Sequence, residues 1–94
     1  MRLTLSTKFR IKKGILTKFV NEKAFILDSE KAEVRSLNET ASFIWRNLKK
    51  GTPIKEIIES VTDEYKVDEA TAKKDVLNLL KKYLKEGLIA VRKK

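Results

Sequence analysis

Polar and apolar residues alternate in the first third of the chain, which is the pattern of half-buried β-strands. The segment Lys8–Lys12 alternates strictly, and short polar or glycine-containing breaks separate it from three further apolar runs. Those runs cover residues 15–20, 24–27 and 32–37. Their spacing predicts an antiparallel meander of about three strands at the N-terminal end of the chain.

After this region, apolar residues recur every three or four positions, which is typical of amphipathic helices. Asn38 is predicted to cap the first helix, because its side-chain oxygen can accept a hydrogen bond from a free amide of the first turn. Asp68 is predicted to cap the third helix, and residues 88–91 then form a short apolar tail. The three predicted helices cover about residues 39–49, 53–66 and 69–86. The resulting fold class is α+β, a three-stranded antiparallel sheet followed by three helices.

Trp45 is the single tryptophan of the chain, and it falls on the apolar stripe of the first predicted helix, between Ala41 and Leu48. We interpret Trp45 as a core residue that joins this helix to the sheet. A role in binding a ligand is the alternative.

Several residue types that carry chemistry are missing. The 94 residues predict one domain, residues 1–94, with no cysteine and no histidine. This composition excludes disulfides, thiolate nucleophiles and the usual general base at neutral pH. Acidic pairs such as Asp63-Glu64 fall at turns and helix starts, where capping explains them. We therefore expect a binding protein without metal or cofactor, not an enzyme. No segment resembles a signal peptide or a membrane span, so a cytoplasmic location is expected.

The net charge of +9 is concentrated at the two ends of the chain. Residues 1–18 carry six Lys or Arg and no acid, residues 19–67 have a net charge of −1, and residues 68–94 have +4. Such asymmetry favours an acidic partner or nucleic acid. A solvated, lysine-rich surface is the alternative.

Winged-helix DNA binding is one function that this pattern favours, with contacts from Lys73, Lys74 and the basic ends. Two features oppose it. Too few residues follow Ile89 to build a hairpin wing, and the start of the third helix, residues 70–72, carries no Arg, Asn or Gln to read base edges.

Peptide binding is the second function. A three-stranded meander leaves an edge strand, to which a peptide can add as a further strand. The last predicted strand, residues 32–37, is the candidate edge. On the third helix, Leu77 and Leu84 lie beside the apolar stripe as an apolar lip, with lysines just beyond them. The alternative is that both leucines pack on the first helix.

The segments "LNETASFIW" and "KKGTPIKEIIESVTDEYKVDEATAKKDVLNLLKKYLKEGLI" together resemble the PqqD-like family, also called precursor recognition elements of ribosomally synthesised, modified peptides (RiPPs). The family pattern falls on residues 37–41, 51–57 and 75–88, and the resemblance covers about residues 9–89. It implies a small winged helix-turn-helix domain that binds the leader segment of a precursor peptide. It also implies that the peptide is presented to a modifying enzyme, often a radical SAM protein.

The resemblance implies that the leader docks as an added strand between the third strand and the third helix. We therefore expect a non-catalytic peptide chaperone, monomeric or dimeric, that interacts with a precursor peptide and a maturation enzyme and with no membrane. A subunit that dimerises through the edge strand is a further alternative. Tyr83 departs from the family pattern, which has leucine at that position. The expected peptide-binding residues fall into three groups. Backbone groups of Glu33, Val34, Arg35 and Ser36 would form the ladder, Val34 with Leu77, Leu80 and Leu84 would form the pocket, and Arg35, Lys74 and Lys81 would supply charge.

Overall fold

The computed structural model describes residues 3–92. It confirms an α+β fold in which a sheet precedes three helices, and none of the helices within these residues is long and apolar enough to cross a membrane. The elements are β1 (Phe9–Ile11), β2 (Ile15–Val20), β3 (Lys23–Asp28), β4 (Glu33–Ser36), α1 (Glu39–Lys49), α2 (Ile54–Tyr65), α3 (Glu69–Lys85) and β5 (Ile89–Val91).

The predicted three-stranded meander consists of β2, β3 and β4, paired antiparallel in that order. The β2–β3 hairpin turns through Asn21 and Glu22, both with positive φ, as a two-residue hairpin loop with right-handed strand twist requires. In the β3–β4 turn, the Asp28 carboxylate accepts hydrogen bonds from the amides of Glu30 and Lys31. Ala32 has a φ of 54° and belongs to this turn, so β4 begins one residue later than predicted.

The apolar tail at residues 88–91 is not a tail but includes a strand, which corrects the prediction. Strand β5 pairs antiparallel with β1, with Arg10 opposite Ala90, in a separate two-stranded sheet. Flanking backbone bonds from Lys12 to Leu88 and from Arg92 to Lys8 extend the ladder. The first alternating segment therefore pairs with the opposite end of the chain and brings the two basic ends together.

The first helix is capped as predicted, but the other two helices begin without a side-chain cap. The Asn38 side chain accepts a hydrogen bond of 2.8 Å from the Ala41 amide. Asp68 occupies the N-cap position of α3 as predicted, but its side chain makes no capping hydrogen bond. Pro53 has no capping side chain, and the amides of Ile54 and Lys55 instead donate to backbone carbonyls of the N-terminal segment.

Trp45 confirms its predicted role as the junction between α1 and the sheet. Its side chain is fully buried, and its indole N–H donates a 2.8 Å hydrogen bond to the Thr17 hydroxyl of β2. Its ring meets the Tyr83 ring of α3 edge-on, with centroids 5.2 Å apart. Ser42, also fully buried, accepts from the Ala24 amide and donates to the Leu37 carbonyl, which fixes α1 to β3 and to the end of β4.

Replacing Asn38 with alanine is expected to lower the free energy of unfolding by about 1 kcal/mol, because one amide of the first turn loses its partner. Peptide affinity should stay within about twofold, since Asn38 lies after β4 and acts through the helix end. Urea unfolding and peptide titration of the same preparation measure both quantities. Unchanged stability with lost binding would instead make Asn38 a contact residue.

Candidate functional site

Strand β4 is an edge strand, and its register shows which backbone groups point to the open side. The Leu37 amide donates to the Ala24 carbonyl, so residues 37, 35 and 33 form the hydrogen-bonded pairs with β3. By alternation, the amides and carbonyls of Val34 and Ser36 point away from β3. Two donors and two acceptors therefore line the free edge, which is what an added strand requires.

The side chains of β4 divide between the two faces of the sheet. Arg35 is opposite Ile26, whose side chain is buried under the helices, while Val34 is opposite Leu27 on the outer face. Val34 is 71% exposed. The expectation that Val34 shares a pocket with leucines of α3 is therefore wrong, because period-two alternation places Val34 on the face away from the helices. Its contribution to the edge is through its backbone.

A single ion pair within residues 3–92 connects β4 to α3. The Arg35 guanidinium contacts the Glu86 carboxylate at the C-terminal end of α3, and both side chains are about one-third exposed. The cleft beneath them has a volume of about 20 Å³, room for about one water molecule. Of the predicted site residues, Glu33 and Arg35 line this cleft.

The ion pair also identifies the flank of α3 that faces β4. At about 100° per residue, Glu86 lies about 160° around the helix from Leu84 but only about 20° from Leu79. The flank towards β4 therefore carries Leu79, which is half-buried against the core, with Asp75 and Lys82 nearby. Leu79 is not among the peptide-binding residues predicted from the sequence.

The predicted lip lies on the other flank of α3. Leu77 and Leu84 are half-buried, and Lys74 and Lys81 beside them are exposed, so the lip with its basic rim exists. By the helical geometry above, this lip lies on the flank of α3 away from Glu86. Leu80 is fully buried with Val76 and Tyr83, because the stripe at helical spacing faces the core. Leu80 is therefore a core residue rather than the predicted pocket residue.

Tyr83 carries a polar atom that the fold leaves without a partner. Its hydroxyl is buried and makes no hydrogen bond within the described residues, near the Arg35–Glu86 pair. Burial raises the pKa of Tyr83 to about 12; the Arg35 charge partly offsets this rise and the Glu86 charge adds to it.

Replacing Tyr83 with phenylalanine is expected to raise the free energy of unfolding by about 1 kcal/mol at neutral pH, because a buried, unpaired hydroxyl is removed. Above pH ~10 the difference in the free energy of unfolding between the two proteins should grow. The unfolded tyrosine ionises near pH 10, whereas the folded one keeps its proton to about pH 12. The unfolded state then binds fewer protons, so the stability of the parent falls with pH by about 1 kcal/mol per unit.

Urea unfolding of both proteins at pH 8 and pH 11 measures this difference. Lysine titration is common to both and cancels in the comparison. A gap between the two proteins that is the same at both pH values would contradict the assignment.

Comparisons with known proteins agree with the resemblance seen in the sequence. The family model described as coenzyme PQQ synthesis protein D (PqqD) matches residues 23–89, well over half of the chain. A search of curated proteins finds no match.

Two solved structures share the fold. TbiB1 in complex with the TbiA(beta) leader peptide superposes with a TM-score of 0.82 at 21% identity, covering 90% of this chain and 99% of that one. Lasso peptide synthetase B1 complexed with the leader peptide gives a TM-score of 0.79 at 26% identity, covering 87% and 96%. From the family match and these folds together, the chain belongs to the PqqD family.

Proposed function

We propose that this protein is a non-catalytic RiPP recognition element, which binds the leader segment of a precursor peptide by strand addition to β4. The observation that carries this proposal is the unpaired edge at Val34 and Ser36, beside a helix flank with a half-buried leucine. Two proteins of the same fold are known in complex with leader peptides, which supports the same ligand class here.

Backbone bonds at the β4 edge would provide affinity, and the α3 flank with Leu79 would select the side chains of the peptide. The bound peptide would then be presented to a maturation enzyme in the cytoplasm. A radical SAM protein is the candidate, on the strength of the family resemblance. We do not retain DNA binding, because no observation beyond the positive charge supports it.

Amide hydrogen exchange tests the binding mode directly. The ¹⁵N-labelled protein would be titrated with the leader regions of short precursor-like reading frames encoded beside its gene. On binding, the amides of Val34 and Ser36 should slow at least tenfold in exchange, because they gain hydrogen-bond partners. The amides of Glu33 and Arg35 are already paired with β3 and should change little.

Two outcomes would contradict this binding mode. Slowed exchange at other segments, with Val34 and Ser36 unchanged, would place the peptide elsewhere. Protection of the same two amides without peptide, rising with protein concentration, would indicate dimerisation through β4, which analytical ultracentrifugation would verify.

A further inference from the structure

A second concave surface lies where the two ends of the chain meet. We call it the basic cleft; its volume is about 810 Å³, and residues of β1, the β1–β2 turn, β2, the end of α1 and the segment after β5 line it. Six of its lining residues are cationic and none is acidic. The cations are Arg10, Lys12, Lys13, Lys49, Lys50 and Arg92.

The positive charge of the basic cleft is not neutralised by the protein. The one ion pair found within residues 3–92 is Arg35–Glu86, so no carboxylate pairs with the six cations. All six side chains are exposed to solvent. The Arg92 guanidinium lies over Gly51, with one nitrogen 2.6 Å from where a Cβ would stand, so the glycine permits this approach. Like charges held together without carboxylate partners favour binding of an anion.

The basic cleft is continuous with the β4 edge. A cavity of about 480 Å³ shares Arg10, Lys12 and Lys13 with the basic cleft. The same cavity shares Lys31 and Glu86 with the small cleft under the Arg35–Glu86 pair. A chain that leaves β4 at its Glu33 end therefore passes over a surface of mixed charge and then enters the basic cleft.

We propose that the basic cleft binds an acidic segment of the same precursor peptide whose neighbouring segment pairs with β4. This inference rests on the proposed function and adds the chemistry of a second contact: carboxylate side chains in a peptide that continues beyond the Glu33 end of β4. About eight extended residues span up to ~28 Å. That length is comparable with the molecular dimensions of 37 × 32 × 19 Å.

A peptide fits this surface better than nucleic acid. Apolar side chains of Ile11, Ile15 and Leu16 lie among the cations of the basic cleft, and Leu16 is 58% exposed. Phosphate contacts need only cations, whereas accessible apolar side chains between cations suit a chain that carries both carboxylates and apolar groups. Duplex DNA is the competing ligand in the test below.

The first experiment probes the basic cleft alone. Binding of fluorescein-labelled hexaglutamate is compared with binding of a labelled 12-base-pair DNA duplex. Hexaglutamate should shift the amide resonances of β1, β5 and the end of α1. The double variant Lys12→Glu, Lys49→Glu should bind hexaglutamate at least tenfold more weakly. The matched control, Lys55→Glu with Lys73→Glu, changes the net charge by the same amount at exposed helix positions outside the cleft. Its affinity for hexaglutamate should fall less than twofold.

The second experiment tests continuity with β4. A peptide that binds the β4 edge would be extended at either end by a four-residue Gly/Ser spacer and four glutamates, or by an uncharged serine extension. The glutamate extension at one end should raise affinity at least fivefold, and at the other end it should have little effect. The gain should disappear in the Lys12→Glu, Lys49→Glu variant and persist in the control variant.

The two proposals fail separately. If bound leader peptide does not slow amide exchange at Val34 and Ser36, the proposed function is overturned. Hexaglutamate binding still reports on the basic cleft in that case. Equal losses in both charge-reversal variants, equal gains from both extensions, or tighter binding of the duplex at the same resonances overturns the inference. Resonance shifts confined to other surfaces overturn it as well.

Discussion

Replacing Val34 with proline is expected to weaken leader binding at least tenfold while the domain stays folded. Proline removes the amide that points to the free edge of β4, and its ring obstructs the carbonyl of the incoming strand. A lost hydrogen bond together with an unpaired partner costs about 2 kcal/mol or more, which is over tenfold in affinity. Because Val34 is 71% exposed, its side chain contributes little to the core.

The matched control is proline at the next position. The Arg35 amide lies in a hydrogen-bonded pair with Ile26, so Arg35→Pro breaks the β3–β4 ladder and removes the ion pair with Glu86. We expect Arg35→Pro to lose about 2 kcal/mol or more of stability, and Val34→Pro less than about 1 kcal/mol. Circular dichroism, urea unfolding and peptide titration compare the two. Parent-like binding by a folded Val34→Pro variant would contradict strand addition at this edge.

The choice between these two positions shows what the sequence alone could provide. Strand alternation places Val34 and Arg35 on opposite faces of the sheet, and the structure has them so. Alternation does not predict which backbone amides point to the open edge, because that depends on the register with β3. The register follows from the length of the turn at Asp28, where Ala32 adopts a positive φ.

The fold was largely predictable because its signals are local. Asn38 precedes a run with helical spacing, and two turns separate three runs with strand character. Strand β5 was missed because three residues carry too little periodicity, and its partner β1 lies about 80 positions earlier. The same pairing creates the basic cleft, so the sequence showed the charge of the two ends but not that they meet.

The helix flank was the part of the site that the sequence could not determine. A helical wheel separates Leu79 from Leu84 by about 140°, but it does not show which flank meets the sheet. That choice depends on how α3 packs, and the ion pair between Arg35 and Glu86 reveals it. Leu80 could be identified as core from its place at the centre of the stripe, between Val76 and Tyr83.

Leu79→Asp is therefore expected to weaken leader binding at least tenfold, and Leu84→Asp to change it less than twofold. Both leucines are half-buried on the flanks of α3, so the two substitutions have similar effects on the core. A carboxylate at residue 79 faces the space beside β4, where a bound peptide would exclude water from it. Removing an unpaired carboxylate from water costs several kcal/mol. The peptide therefore either docks less closely, so that the carboxylate stays hydrated, or does not dock.

Titration calorimetry with the peptide that protects Val34 and Ser36 would measure both affinities, after urea unfolding has shown that both variants are folded. Leu80→Asp serves as the reference for a core lesion, because its side chain is fully buried, and it should lose about 3 kcal/mol or more of stability. If Leu84→Asp loses binding and Leu79→Asp retains it, the lip formed by Leu77 and Leu84 is the peptide site. The flank assigned from the ion pair would then be wrong, and the peptide would cross α3 on the side away from Glu86.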